Sequence, residues 1–163
     1  MIIHVKNKQT LKIDDFYFKC CVGKNGISRK KIEGDKKTPK GTFKLGNLYF
    51  RKSRINRPIT NLKKVIIRKN MAWCDDSNNL RYNQLTKISK KYSHEKLFRE
   101  DNKYDLLIPI KYNFYKTKKK LGSCIFIHLT NNYKPTAGCI ALKKKDFLIM
   151  LKLINKNSKI IIY

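Results

Sequence analysis

Only one stretch of this chain, KKKDFLIMLKLINKN (residues 143–157), spaces its apolar residues as a helix would. Phe147, Leu148, Leu151 and Ile154 fall at i, i+1, i+4 and i+7. Elsewhere the apolar residues come in short or alternating runs: MIIHV, TLKI, FYFKCCVG, GTFKLGNLYF, KKVIIRKN, YDLLIPIKYN, SCIFIHLT and the closing SKIIIY. Runs of that length between polar turns read as strands. The pattern predicts a mostly β domain with one late helix.

Two segments interrupt the pattern. Residues 23–46 carry Gly23, Gly26, Gly34, Pro39, Gly41 and Gly46, which reads as a long loop built from turn chemistry. From Met71 to about Asp101 the periodicity fails. The expectation there is a polar loop with an isolated Trp73 and a short helix near His94, for which Ser93 would be the cap. With 163 residues and 41% hydrophobic content, the chain is read as one domain, 1–163, able to bury a core without staples. No run approaches the roughly 18–20 apolar residues that span a bilayer, so no transmembrane segment is expected. MIIHVKNKQTLKI has no small-residue cleavage site and reads as strand and turn, not as a signal peptide.

The formal charge is +28, which attracts polyanions such as nucleic acid, anionic lipid or acidic wall polymers. A nucleic-acid binder concentrates such charge in an arm or stripe. Here Lys is spread along the chain, in short clusters such as SRKKIE, KTKKK and LKKK. A solvated basic surface accounts for that spread, and nucleic acid is disfavoured as a partner without being excluded. The sequence does not fix an oligomeric state.

Five cysteines, Cys20, Cys21, Cys74, Cys124 and Cys139, leave at least one thiol unpaired. There is no C-x-x-C pair or Cys/His zinc spacing, so no metal site and no cofactor is expected. Alternation along residues 124–130 puts Cys124, Phe126, His128 and Thr130 on one face, and Ile125, Ile127 and Leu129 on the other. His128 therefore ends a buried strand. Cys139 returns 11 residues later (139 − 128), behind Gly138. An imidazole beside a thiol takes its proton, and the backbone N–H groups of Gly138 and Cys139 are placed to hold an oxyanion. On spacing alone, a core histidine and a buried cysteine are the commoner reading, and the catalytic pair the rarer one.

GDKKTPKGTFKLG (residues 34–46) resembles the G-x-x-x-T-P-x-G-x-F segment of the L,D-transpeptidase catalytic domain, the YkuD family. IHLTNNYKPTAGCIAL is similar to that family's signature of His, a variable loop and then Ser/Thr-x-Gly-Cys. From Trp73 to Asp105 the chain also resembles a compact stand-alone branch, through its W-C-D-D, Y-N, S-H-E-x-L-x-R-x-D and Y-D landmarks. The resemblance implies a YkuD-like β-sandwich with Cys139 as nucleophile, His128 as general base and Thr136 in the Ser/Thr position. It further implies acyl transfer from a peptidoglycan tetrapeptide stem. D-alanine leaves, a thioester remains, and an amine resolves it into a 3→3 cross-link. Peptidoglycan stem peptides are then the partners, and the cell envelope or periplasm the location.

Three departures from the family pattern bear on substrate recognition. Ala137 and Ala141 stand where many members have His and Arg, and the His–Cys loop is shorter. Arg81, Arg99 or a nearby Lys is a candidate to replace the arginine. His94 either lines the cleft or starts a helix. Trp73 with Asp75 and Asp76 either forms a cleft wall for an amine-bearing stem or anchors an exposed loop. Three functional classes follow: the transpeptidase, the same site with a changed substrate or with carboxypeptidase activity, and a non-catalytic basic binding module.

Overall fold

The expected alternation becomes a ladder along almost the whole chain. The computed structural model describes all 163 residues. Strands β1 (Ile2–Lys6), β2 (Thr10–Ile13) and β3 (Phe16–Cys21) form a meander. The glycine-rich loop holds the two-residue strands β4 (Ile27–Ser28) and β5 (Thr38–Pro39), which pair in parallel. GTFKLGNLYF divides into β6 (Gly41–Lys44) and β7 (Leu48–Phe50), and β8 (Lys64–Ile66) follows.

The expectation of a loop and short helix over 71–101 is corrected. This segment forms β9 (Met71–Cys74), β10 (Leu85–Lys87) and β11 (His94–Lys96), a three-stranded antiparallel sheet with β9 at its centre. Ser93 caps no helix, because the next residues pair with β9, Glu95 opposite Trp73. Strands of three or four residues are too short to display a period, so long-range pairing decides their state.

The chain then runs through β12 (Leu106–Pro109), β13 (Phe126–Leu129), β14 (Ile140–Leu142), α1 (Lys144–Leu153) and β15 (Lys159–Ile162). The main sheet has ten strands in the order β6-β15-β1-β2-β3-β14-β13-β12-β7-β8. Its two halves bury side chains in one core: Ile3, Val5, Leu11 and Ile13 from one, Ile108, Ile127, Ile140 and Leu142 from the other. A sheet whose distant strands share a core must curl. Helix α1 closes that core with Phe147, Met150 and Leu151, all fully buried. Asp146 in its first turn and Lys152 in its last suit the helix dipole. Leu148, expected on the same stripe, is only half-buried against the core.

A second core lies on the opposite face of β12 and β13. It gathers Tyr49, Trp73, Leu97, Tyr104, Leu107, Phe126 and Cys139. The small sheet therefore packs over the face of β13 that carries His128.

Candidate active site

β13 and β14 are parallel neighbours with Ile127 opposite Ile140 and His128 opposite Ala141. Partners across a ladder point to the same face, so Cys139, one step before Ile140, projects from the same side as Phe126 and His128. Diagonal neighbours of this kind stand roughly 7–8 Å apart at Cα, within reach of an aromatic side chain. Both residues line one cleft of about 620 Å³.

The thiol is held from two sides. Cys139 Sγ donates to the Cys124 carbonyl at 3.2 Å and accepts from the Phe126 N–H at 3.3 Å. Cys124 sits at φ 54, a left-handed turn just before β13 begins. The strand is thus shorter than the 124–130 expected, although the alternation of faces is kept. Ile125, Ile127 and Leu129 enter the main core, while Phe126 and Cys124 pack in the second.

His128 is 6% exposed. Its Nδ1 lies 2.9 Å from the Leu129 carbonyl. A carbonyl only accepts, so Nδ1 carries the proton and Nε2 keeps a free lone pair. The ring meets the edge of Tyr104 at 5.3 Å between centroids. Burial pulls the His128 pKa down to about 4, and the charges of Lys103 and Arg99 act in the same sense. Burial pushes the Cys139 thiol well up, with the Glu95 charge adding to it, while the Phe126 N–H and Lys31 oppose. At neutral pH the pair rests as thiol and neutral imidazole, not as an ion pair.

A single buried hydroxyl joins the two glycine-bearing segments of the sequence. Thr38, 0% exposed, accepts from the Gly23 N–H at 2.8 Å and donates to the Gly138 carbonyl at 2.8 Å. The backbones pass so closely that a Cβ on Gly138, at φ 137, would lie 2.9 Å from the Lys37 carbonyl oxygen. Thr136 pins the turn from the other side, donating to the Cys139 carbonyl at 2.6 Å and accepting from the Gly138 N–H at 3.1 Å. The Gly138 N–H therefore already has an acceptor within the turn.

The other sequence candidates separate. Asp75 and Arg99 line the cleft with Cys139; Trp73, Arg81 and His94 do not. Trp73 is 3% exposed in the second core, where its Nε1–H donates to Asn83 Oδ1 at 3.0 Å. Arg81 is exposed, and His94 Nδ1 lies 3.0 Å from the Tyr92 carbonyl. Arg99 is committed to Asp101 through two bonds, at 2.9 and 2.7 Å.

Four further residues had only their place in the landmarks, or none, to mark them. Asn83 binds the Trp73 indole, the Cys124 N–H and the carbonyls of Tyr112 and Asn113, tying the small sheet to the strand that precedes His128. Tyr104 donates to Glu95, which lines the cleft. Lys31, its side chain 3% exposed, pairs with Asp35 and donates to the Lys37 carbonyl at the cleft wall. No group of three or more potential ligand side chains is assembled for a metal ion.

A curled β domain that shows a thiol and an imidazole on one face of adjacent parallel strands defines a class of candidate acyl-transfer proteins. Within that class the chain belongs to the YkuD family, the L,D-transpeptidase catalytic domain, whose family model matches residues 2–162. That family is one of cysteine-dependent transpeptidases and peptidases that act on peptidoglycan. Among solved structures it is similar to the helical cell shape determining protein Pgp2 from Campylobacter jejuni, with 21% identity and a TM-score of 0.53, over 99% of this chain and 46% of that one. A point mutant of Pgp2 matches with 21% identity and a TM-score of 0.52, over the same shares. Bd1075 of Bdellovibrio bacteriovorus is 16% identical with a TM-score of 0.48, over 99% and 47%. The chain thus spans about half the length of these structures, and the likeness to Pgp2 shows the fold. No curated protein matches it.

Proposed function

We propose that the chain is a cysteine-dependent L,D-transpeptidase of peptidoglycan, with Cys139 as nucleophile and His128 as general base. One observation carries the reading: both side chains leave the same face of β13 and β14 and line the same cleft. Cys139 Sγ attacks the carbonyl carbon of the amide that precedes the terminal D-alanine of a tetrapeptide stem, and its proton passes to His128 Nε2. Because the resting pair is neutral, proton transfer and attack proceed together. His128 then hands the proton to the departing D-alanine nitrogen, leaving a thioester. The Cys139 N–H is the candidate donor to the oxyanion, since the Gly138 N–H is bound to Thr136. An amine of a second stem attacks the thioester, gives its proton to His128, and the thiol is restored as that proton returns to sulfur. Water in place of the amine gives carboxypeptidase activity.

The test is intact-protein mass after incubation with a tetrapeptide stem, with D-alanine assayed alongside. The expected result is a covalent stem adduct minus D-alanine that is absent in Cys139→Ala. A folded native protein that forms no adduct and releases no D-alanine would refute the reading. Cross-linked or trimmed products then distinguish transfer from hydrolysis.

A further inference from the structure

The distribution of acid in the cleft is at odds with that of the chain. Only 11 Asp and Glu oppose 39 Lys and Arg. Yet four of the 11, Glu33, Asp35, Asp75 and Glu95, line this one cleft. Two of them have work within the fold. Asp35 is paired with Lys31 and accepts the Ile32 and Lys37 N–H groups. Glu33 accepts from the Tyr82 hydroxyl and from Ser123 Oγ at 2.7 Å.

The other two are poorly compensated. Glu95 accepts from the Tyr104 hydroxyl and has Arg99 no nearer than 3.8 Å, while that guanidinium forks onto Asp101. Asp75 makes no side-chain hydrogen bond and no ion pair. Its Oδ1 is the single buried side-chain oxygen or nitrogen in the protein without a partner. A carboxylate oxygen shielded from water and given no donor is costly. In a chain with 28 surplus positive charges, the absence of a counter-cation there is the exception.

The small sheet aims both groups the same way. Glu95 stands opposite Trp73 in the β9–β11 pairing, and Asp75 follows Trp73 by two residues. All three therefore leave one face, the one whose Trp73 packs in the same core as Cys139. Glu95 sits above the ordinary carboxylate range chiefly through burial, with the nearby Asp75 charge adding to it. A cation between two such groups relieves both the burial and the repulsion. The cleft offers no third ligand for a metal ion. A primary ammonium, with three N–H donors and one charge, suits two carboxylates.

We propose that Asp75 and Glu95 form a subsite for a primary ammonium group, the side-chain ammonium of a diamino acid in the substrate. The proposal rests on the peptide-transfer reading above and adds to it the group that is recognised. The basic rim of Lys36, Lys103 and Lys134 is then left to the anionic parts of the same peptide.

The experiment measures binding to the Cys139→Ala protein, in which no covalent bond forms. The probes are a tripeptide ending in diaminopimelate and the tetrapeptide that carries a further D-alanine. Each is used with its side-chain amine free and with that amine acetylated. We expect at least one free-amine probe to bind about tenfold more tightly than its acetylated form, the scale of one charge-assisted contact. Asp75→Asn in the same background should remove that preference. The probe that shows it identifies the ammonium as belonging to acceptor or donor stem. Glu95→Gln is run in parallel, so that the result does not depend on the folding of one variant, and should narrow the preference. Equal binding of free and acetylated probes, or a full preference kept in both variants, overturns the proposal. Adduct formation by the native protein is scored alongside. An adduct without the amine preference sinks the subsite alone, whereas the preference without an adduct sinks the transfer reading and leaves the subsite standing.

Discussion

Lowering the pH from 7 to 4 should unfold this protein in a way that depends on His128. Free in an unfolded chain, the imidazole titrates near 6.5; buried at the end of β13, it titrates at about 4. Between these values the unfolded chain binds a proton that the folded protein refuses. Stability therefore rises with pH across this window. It is fully present above about 6.5, is lost as the pH falls, and levels off near 4. A difference of about 2.5 pH units at 1.36 kcal/mol each gives a loss of about 3 kcal/mol at pH 4. That is a large fraction of the stability of a small domain. The protein's single tryptophan, Trp73, is buried and reports unfolding by its fluorescence. Urea titrations at pH 7 and pH 4, on the native protein and on His128→Gln, isolate the histidine from the carboxylates that also titrate. The native protein should lose about 3 kcal/mol more than the variant. Equal losses would show that His128 protonates freely in the folded state, and the argument from its burial would fail. The acid limb of the adduct-forming reaction should likewise fall near pH 4 and not near 6.5, because a protonated Nε2 cannot take the thiol proton.

Thr38→Val removes the hydroxyl between Gly23 and Gly138 and leaves a buried N–H and a buried carbonyl unpaired. The expected cost is about 2–4 kcal/mol in urea unfolding, and the thioester should form more slowly even below the unfolding transition. Gly138→Ala puts a Cβ against the Lys37 carbonyl at a backbone angle that side chains avoid. It should cost about 1–3 kcal/mol and lower the rate of thiol alkylation by a small haloacetamide if the turn that presents Cys139 moves. Asn83→Ala breaks four hydrogen bonds, one to Trp73 within the small sheet and three that tie this sheet to Cys124, Tyr112 and Asn113 outside it. Hydrogen exchange should show β9 to β11 opening before the main sheet does, and a variant that exchanges uniformly would show that Asn83 ties nothing together.

Much of the fold was legible locally, for a simple reason. Strands such as Ile2–Lys6 and Lys159–Ile162, and the helix at Lys144–Leu153, bury one face and leave the other wet, so their periods are written in the residues. The segment Met71–Lys96 had no such mark. Its outer strands are three residues long and largely open to solvent, and what fixes them is pairing with β9 on both sides. His94 accordingly lies on a strand and not on a helix, and GTFKLGNLYF forms two strands, which a turn sends to distant places in the sheet.

By itself, the sequence determined the β class, the late helix, the spacing of His128 and Cys139, and the two glycine-bearing motifs. These rest on short-range pattern, where residue type and period are enough. Only the tertiary structure decided that Thr38 joins those motifs, and that Asn83 secures the small sheet against the segment leading into β13. It also decided that Asp75 and Glu95 both line the cleft while Trp73 and Arg81 stay out of it. Each of these depends on backbones far apart in the chain being brought within hydrogen-bonding distance, and no local period records which distant strand will be the partner.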